Sequence, residues 1–128
     1  MKNKELYYPI IGYHLIDEGI YEGIKYFIIS YGMHPCAYIE NIWKFKDYDD
    51  SRLDHICVHG GFTFLGRREF THCLGWDYGH YGDYYEDPFG KPSCADMLRR
   101  WTYEDILEEV KDVINQMIEK FGKGEAKK

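Results

Sequence analysis

At 128 residues, 45% hydrophobic and 18% aromatic with 13 tyrosines, the chain can bury one core as a single domain, and its composition excludes intrinsic disorder. No apolar run approaches the ~20 residues of a membrane span. The N-terminal MKNKELYYPIIG has no apolar signal region with a small-residue cleavage site, so a cytoplasmic protein making no membrane contact is expected.

The formal net charge of -6 argues against duplex nucleic acid as a partner, because that binding needs a basic face. It leaves room for a small anionic ligand, for which the pairs Arg67-Arg68 and Arg99-Arg100 can supply local donors. Cys36, Cys57, Cys73 and Cys94 form no CxxC pair and read mostly as small buried hydrophobes.

In the first half, IIGYHLI, IKYFIIS and CAYIENI are short β-branched and aromatic runs separated by DEG, YEG and GMHP. They read as two or three strands, or as one strand with irregular segments. DYDDSRLD, at 47–54, reads as an acidic loop. In LDHICVHGGFTFLG the period is two, with Ile56 and Val58 on one face and His55, Cys57 and His59 on the other. FTHCLGW likewise sets Phe70, His72, Leu74 and Trp76 against Thr71, Cys73 and Gly75. Antiparallel strands follow, with 62–65 and 70–76 paired through the turn Gly66-Arg67-Arg68-Glu69.

The ring-rich loop GWDYGHYGDYYEDPFG comes next, and SCADMLRRW reads as a short helix capped by Ser93 after Pro92. Ile106, Val110, Val113, Met117 and Phe121, widened by Leu107, Ile114 and Ile118, then mark one amphipathic helix. Thr102 is its N-cap with Asp105 three residues on, and Gly122 stops it. The expected fold is α+β: a small antiparallel sheet of about four or five strands with the long C-terminal helix packed on one face. It forms a single domain over 1–122, followed by a frayed tail at 123–128.

Three pieces can carry chemistry. His59-Gly60-Gly61 with Thr63 offers consecutive glycines, which make either an anion-binding nest or a tight bend. Asp77, His80 and Asp83, joined by His59, are of types that ligate a divalent metal or orient a general base; they equally serve as caps and internal bonds of a glycine-rich loop. The rings Tyr78, Tyr81, Tyr84, Tyr85 and Phe89 suit a stacking platform, a protein interface or a sheet-edge cover. Nucleophilic catalysis has little support, since Cys73 and the adjacent His72 point to opposite faces of a strand.

VHGGFTF, a hairpin, LGWDYGHYGDY, and a helix opening WTYEDILEEV together resemble a family of small uncharacterised proteins of bacteriophages and mobile elements. The similarity covers about residues 54–120, and GMHPCAYIE at 32–40 resembles the family's N-terminal part. By the family's pattern the positions that matter are His59, Gly60, Gly61, Thr63, Trp76, Asp77, His80, Gly82 and Asp83, with Trp76 standing where Phe is more usual. The resemblance implies a phage-type accessory protein in the cytoplasm of a bacterial host, of the sort that inhibits host defence.

Three expectations follow. The first and favoured one is a binding protein without cofactor that sequesters a small anionic, nucleotide-like signal through the positions above and Tyr84. The second is a divalent-metal-dependent hydrolase using His59, Asp77, His80 and Asp83, with His59 and His80 as its catalytic groups. The third is an inhibitor of a host defence protein that contacts it through the Tyr-rich loop and the acidic 47–54 segment. A homodimer is also expected, as small domains tend to cover residual apolar surface.

Overall fold

The computed structural model describes residues 5–8, 12–80, 83 and 99–123. Five antiparallel strands form one sheet: β1 (His14–Tyr21), β2 (Ile24–Ser30), β3 (Pro35–Glu40), β4 (Phe64–Arg68) and β5 (Thr71–Asp77). Their order is β1-β2-β3-β5-β4, and the helix α1 (Tyr103–Phe121) packs on the sheet. The class is α+β. Among the described residues no helix is long and apolar enough to cross a membrane.

Two of the hairpins are set by two-residue turns with positive φ at both positions, the backbone that matches strand twist. Glu22 and Gly23 (φ 54° and 80°) join β1 to β2, and Glu69 and Phe70 (φ 51° and 64°) join β4 to β5. The second turn keeps only Glu69 of the expected Gly66–Glu69 connection and adds Phe70. Gly66 belongs to β4 opposite Cys73, and a Cβ there would stand 2.9 Å from Cζ of Phe64, so this glycine makes room for a ring inside a strand.

The first half resolves into three strands, β1 running through the Asp17-Glu18-Gly19 segment that reads as a separator. The strand expected around 54–59 does not form. Ser51–His55 is a 3-10 helix whose N-cap, Asp50, accepts from the Arg52 amide at 2.9 Å. The amides of Cys57 and His59 then bond to helix side chains instead of a neighbouring strand.

Strand register sorts the side chains into two layers. Tyr26, Ile28, Ala37, Ile39, Leu74 and Trp76 pack with Ile106, Val110, Val113, Ile114 and Met117 of α1. Phe27, Ile29, Cys36, Tyr38 and Cys73 form a smaller cluster on the other face, roofed by the Arg68 guanidinium, 4.4 Å from the Phe64 ring centre. The β4–β5 hairpin curls over this face, because Glu69 at its tip accepts a hydrogen bond from Tyr13, which precedes the far edge strand.

The helix ends follow their sequence signals. Thr102 and Asp105 form a reciprocal capping box, Gly122 (φ 80°) closes the C-terminus, and Trp43 Nε1 donates to the Gly122 carbonyl at 2.6 Å. The short helix expected at 93–101 lies mostly outside the described residues; its last three, Arg99, Arg100 and Trp101, are not helical. Cys94 also lies outside them. Cys36 and Cys73 are buried and Cys57 is exposed, and burial pushes the Cys36 and Cys73 thiols up to about 12, which suits packing and not nucleophilic attack.

Candidate functional site

His59 enters the site on a four-residue turn closed by the Gly61 amide on the Val58 carbonyl at 2.9 Å. Gly60 (φ 72°) takes the third position of that turn, where positive φ is required. Helix α1 grips the turn from outside. Glu109 Oε2 accepts from the His59 amide at 2.8 Å, while the Gln116 amide group pairs with both the N-H and the C=O of Cys57, each at 2.8 Å. Seven residues separate Glu109 from Gln116, two helical turns, so both lie on one face.

Beneath the turn is a buried polar chain. Trp76 Nε1 donates to the Tyr78 hydroxyl at 2.9 Å, and that hydroxyl donates to Glu109 Oε1. Burial and the Glu109 carboxylate push the Tyr78 phenol far above its ordinary range, so it stays neutral and keeps its donor. Trp76 is 1% exposed and Tyr78 fully buried, so the expectation that Trp76 contacts a ligand is corrected: it is core, facing α1. Tyr78 is not a platform ring either, because its ring supports the His59 imidazole, stacked at 5.0 Å and 7°.

Asp83 organises the rest. Its Oδ2 lies 2.8 Å from His59 Nε2 and accepts from the His80 amide at 3.0 Å, and its Oδ1 accepts from Trp101 Nε1 at 2.9 Å. Asp83 as a whole is 5% exposed. Burial raises its pKa, but the bonds from His59, Trp101 and the His80 amide outweigh it, and the net shift is downward. A carboxylate acceptor requires the proton on His59 Nε2. Nδ1 has no hydrogen-bond partner among the described residues, and the side chain remains 25% exposed.

The second histidine is held differently. His80 lies against Gly60, where a Cβ would stand 2.2 Å from its Nε2. That nitrogen is buried, 3.4 Å from Asp77 Oδ1, within ion-pair reach but without hydrogen-bond geometry. Asp77 is committed within its own loop, Oδ1 accepting from the Gly79 amide at 3.0 Å and Oδ2 from Thr63 Oγ1 at 3.1 Å. The candidate metal ligands therefore sort into two pairs, His59 with Asp83 and His80 with Asp77. Among the described residues no group of three or more His, Cys, Asp and Glu side chains has the arrangement to hold a metal ion.

Around this centre the Arg99 guanidinium lies 3.8 Å above the Trp101 ring, which is itself 4.8 Å from the His59 ring. Arg99 also approaches Asp105 at 3.6 Å and keeps a largely exposed side chain. Arg68 of the other arginine pair lies on the opposite face of the sheet.

The structure thus brings together His59, Gly60, His80 and Asp83, with Thr63 and Asp77 adjacent through His80. Gly61 is spent on its turn and meets no neighbour where a Cβ would project. Gly82 and Tyr84, with Tyr81, Tyr85 and Phe89, lie outside the described residues. Sequence reading missed Trp101, Glu109 and Gln116 as parts of the site. The signal for the last two is their spacing: with Ile106 and Val113 they fall at i, i+3, i+7 and i+10, polar residues inside the apolar stripe.

Comparison of the chain with family models, with curated proteins and with solved structures returns no match.

Proposed function

We propose that this protein is a phage-type accessory protein that inhibits host defence by binding and sequestering a small anionic, nucleotide-like signal at the His59 site. One observation carries the reading. The carboxylate at the centre, Asp83, is consumed by three internal donors, whereas the exposed edge offers the His59 ring beside Arg99 stacked on Trp101. A guanidinium fixed on an aromatic face is a ready partner for a phosphate, and a histidine whose Nε2 proton is held by a buried carboxylate presents Nδ1 as an acceptor to a ligand hydroxyl or base amine.

The same histidine has the posture of a general base, its tautomer set by Asp83 and Nδ1 turned from that bond. That favours hydrolysis of the signal as a second reading. The two separate on what is released: a sequestering protein yields the ligand intact on denaturation, and a hydrolase yields only a cleaved product.

Calorimetric titration with a panel of linear and cyclic nucleotides tests binding directly. The expected result is saturable binding by the wild type, weakened at least tenfold, or about 1.4 kcal/mol, by Arg99→Ala and by His59→Ala and unchanged by Arg67→Ala. Absence of binding across the panel, or binding indifferent to Arg99 and His59, would contradict the proposal.

A further inference from the structure

Phe70 is 97% exposed and sits at φ 64°, a left-handed conformation that residues with a Cβ avoid. Its turn partner Glu69, at φ 51°, shares the strain where Asn-Gly would carry none. Among the described residues nothing relieves this by burying the ring. The tip is nevertheless held in place, Glu69 by the Tyr13 hydroxyl and the Phe70 carbonyl by Arg67 Nη1 at 3.4 Å. A strained backbone on a fixed support that ends in a fully exposed ring is a device for presenting that ring.

Beside the tip lies a recess of about 240 Å³ lined by Glu18, Ile20, Lys25, Phe27, Glu69 and Thr71. An apolar cavity of about 150 Å³ admits benzene, so the recess has room for a phenyl ring. Exposed apolar side chains gather on this side. Leu15 pairs with Ile29 and Ile20 with Lys25, which sets both on the face turned away from α1, and Tyr13 touches the hairpin tip. With Phe70 they make four of the five large exposed hydrophobics among the described residues, the fifth being Tyr48.

We propose that this surface is the two-fold interface of a homodimer, in which Phe70 of each protomer enters the Ile20–Phe27 recess of the other. The occupant is a second copy because knob and recess lie side by side on one surface, as an isologous interface requires. Lys25 borders the recess together with Glu18 and Glu69, so the Glu69 that arrives with the incoming Phe70 meets one cation and two carboxylates, and charge weakens the contact that the ring makes. Two buried rings cover less than the ~1,200 Å² of a strong standard interface, so the dimer forms reversibly with concentration.

Sedimentation equilibrium of the full chain from about 1 μM to about 2 mM brackets the millimolar-to-micromolar range of weak association. Wild type should pass from monomer towards dimer. Phe70→Gly should raise the dissociation constant at least tenfold without lowering the melting temperature of the monomer, since glycine relieves the turn. Ile20→Lys should also raise it tenfold through the other half of the contact. A wild type that stays monomeric throughout, or a dimer that both variants leave intact, would overturn the proposal.

Discussion

The 58–61 turn and the 77–80 segment each carry a histidine into the site, but the backbone of one is gripped by helix side chains and that of the other by Asp77 and Asp83. Glu109 and Gln116 fix the backbone of His59 and Cys57, and Tyr78 and Asp83 fix the His59 ring. His80 rests on Gly60 with its Nε2 unbonded, above a loop that Asp77 closes on the Gly79 amide. The two aspartates divide in the same way: Asp83 is a buried acceptor on which three elements converge, and Asp77 is a half-exposed loop cap. Similar residues in one short motif thus serve unequal tasks, and the inequality is measurable.

The largest effect should come from Asp83→Ala, which strands His59 Nε2, Trp101 Nε1 and the His80 amide at once. Chemical denaturation should register a loss of about 3 kcal/mol, the scale for breaking a buried charged pair. Asp77→Ala should cost about 1 kcal/mol or less, as for a partly exposed cap. Equal losses would dissolve the distinction between the two carboxylates.

Next in size is Glu109→Ala, which removes the acceptor of both the His59 amide and the Tyr78 hydroxyl and should cost about 2 kcal/mol. Heteronuclear NMR should show the His59 amide resonance moving further than that of His80, since the His59 amide bonds Glu109 directly whereas the 77–80 segment reaches Glu109 only through the Tyr78 side chain.

Gly60→Ala should follow at about 2 kcal/mol, combining positive φ with a Cβ driven into His80. Gly61→Ala meets open space and should show the strain alone, about 1 kcal/mol, leaving His80 unmoved. The smallest effect is acid sensitivity. Asp83 has a lowered folded-state pKa against ~3.9 for an unfolded aspartate, so its contribution is complete above that value and is lost as pH falls through the folded pKa. The stability gap between wild type and Asp83→Asn should therefore hold from pH 7 to 5 and narrow below about pH 4. A gap that widens in acid would reverse the sign assigned to Asp83.

Local periodicity made most of the fold legible. The capping box at Thr102 and Asp105, the stop at Gly122 and the apolar stripe between them are signals that later packing does not override. The 54–59 segment was not legible, because its period of two over four residues also fits a loop whose amides are claimed by Gln116 and Glu109, partners about fifty residues or more away in sequence. Gly66 misled for a related reason: a glycine that clears space for a ring looks, in sequence, like one that turns the chain. At the site, His59, His80 and Asp83 could be named from residue type. Their pairing depended on Trp101 and on the depth of Trp76, which are set by tertiary packing.

Native mass spectrometry of the protein purified from bacterial cells that make nucleotide signals tests the binding claim most directly. Wild type should retain a non-covalent, phosphate-bearing mass that leaves intact on denaturation, and His59→Ala and Arg99→Ala should retain little of it. Wild-type protein carrying no such mass, or variants that hold it as well as wild type does, would contradict the account.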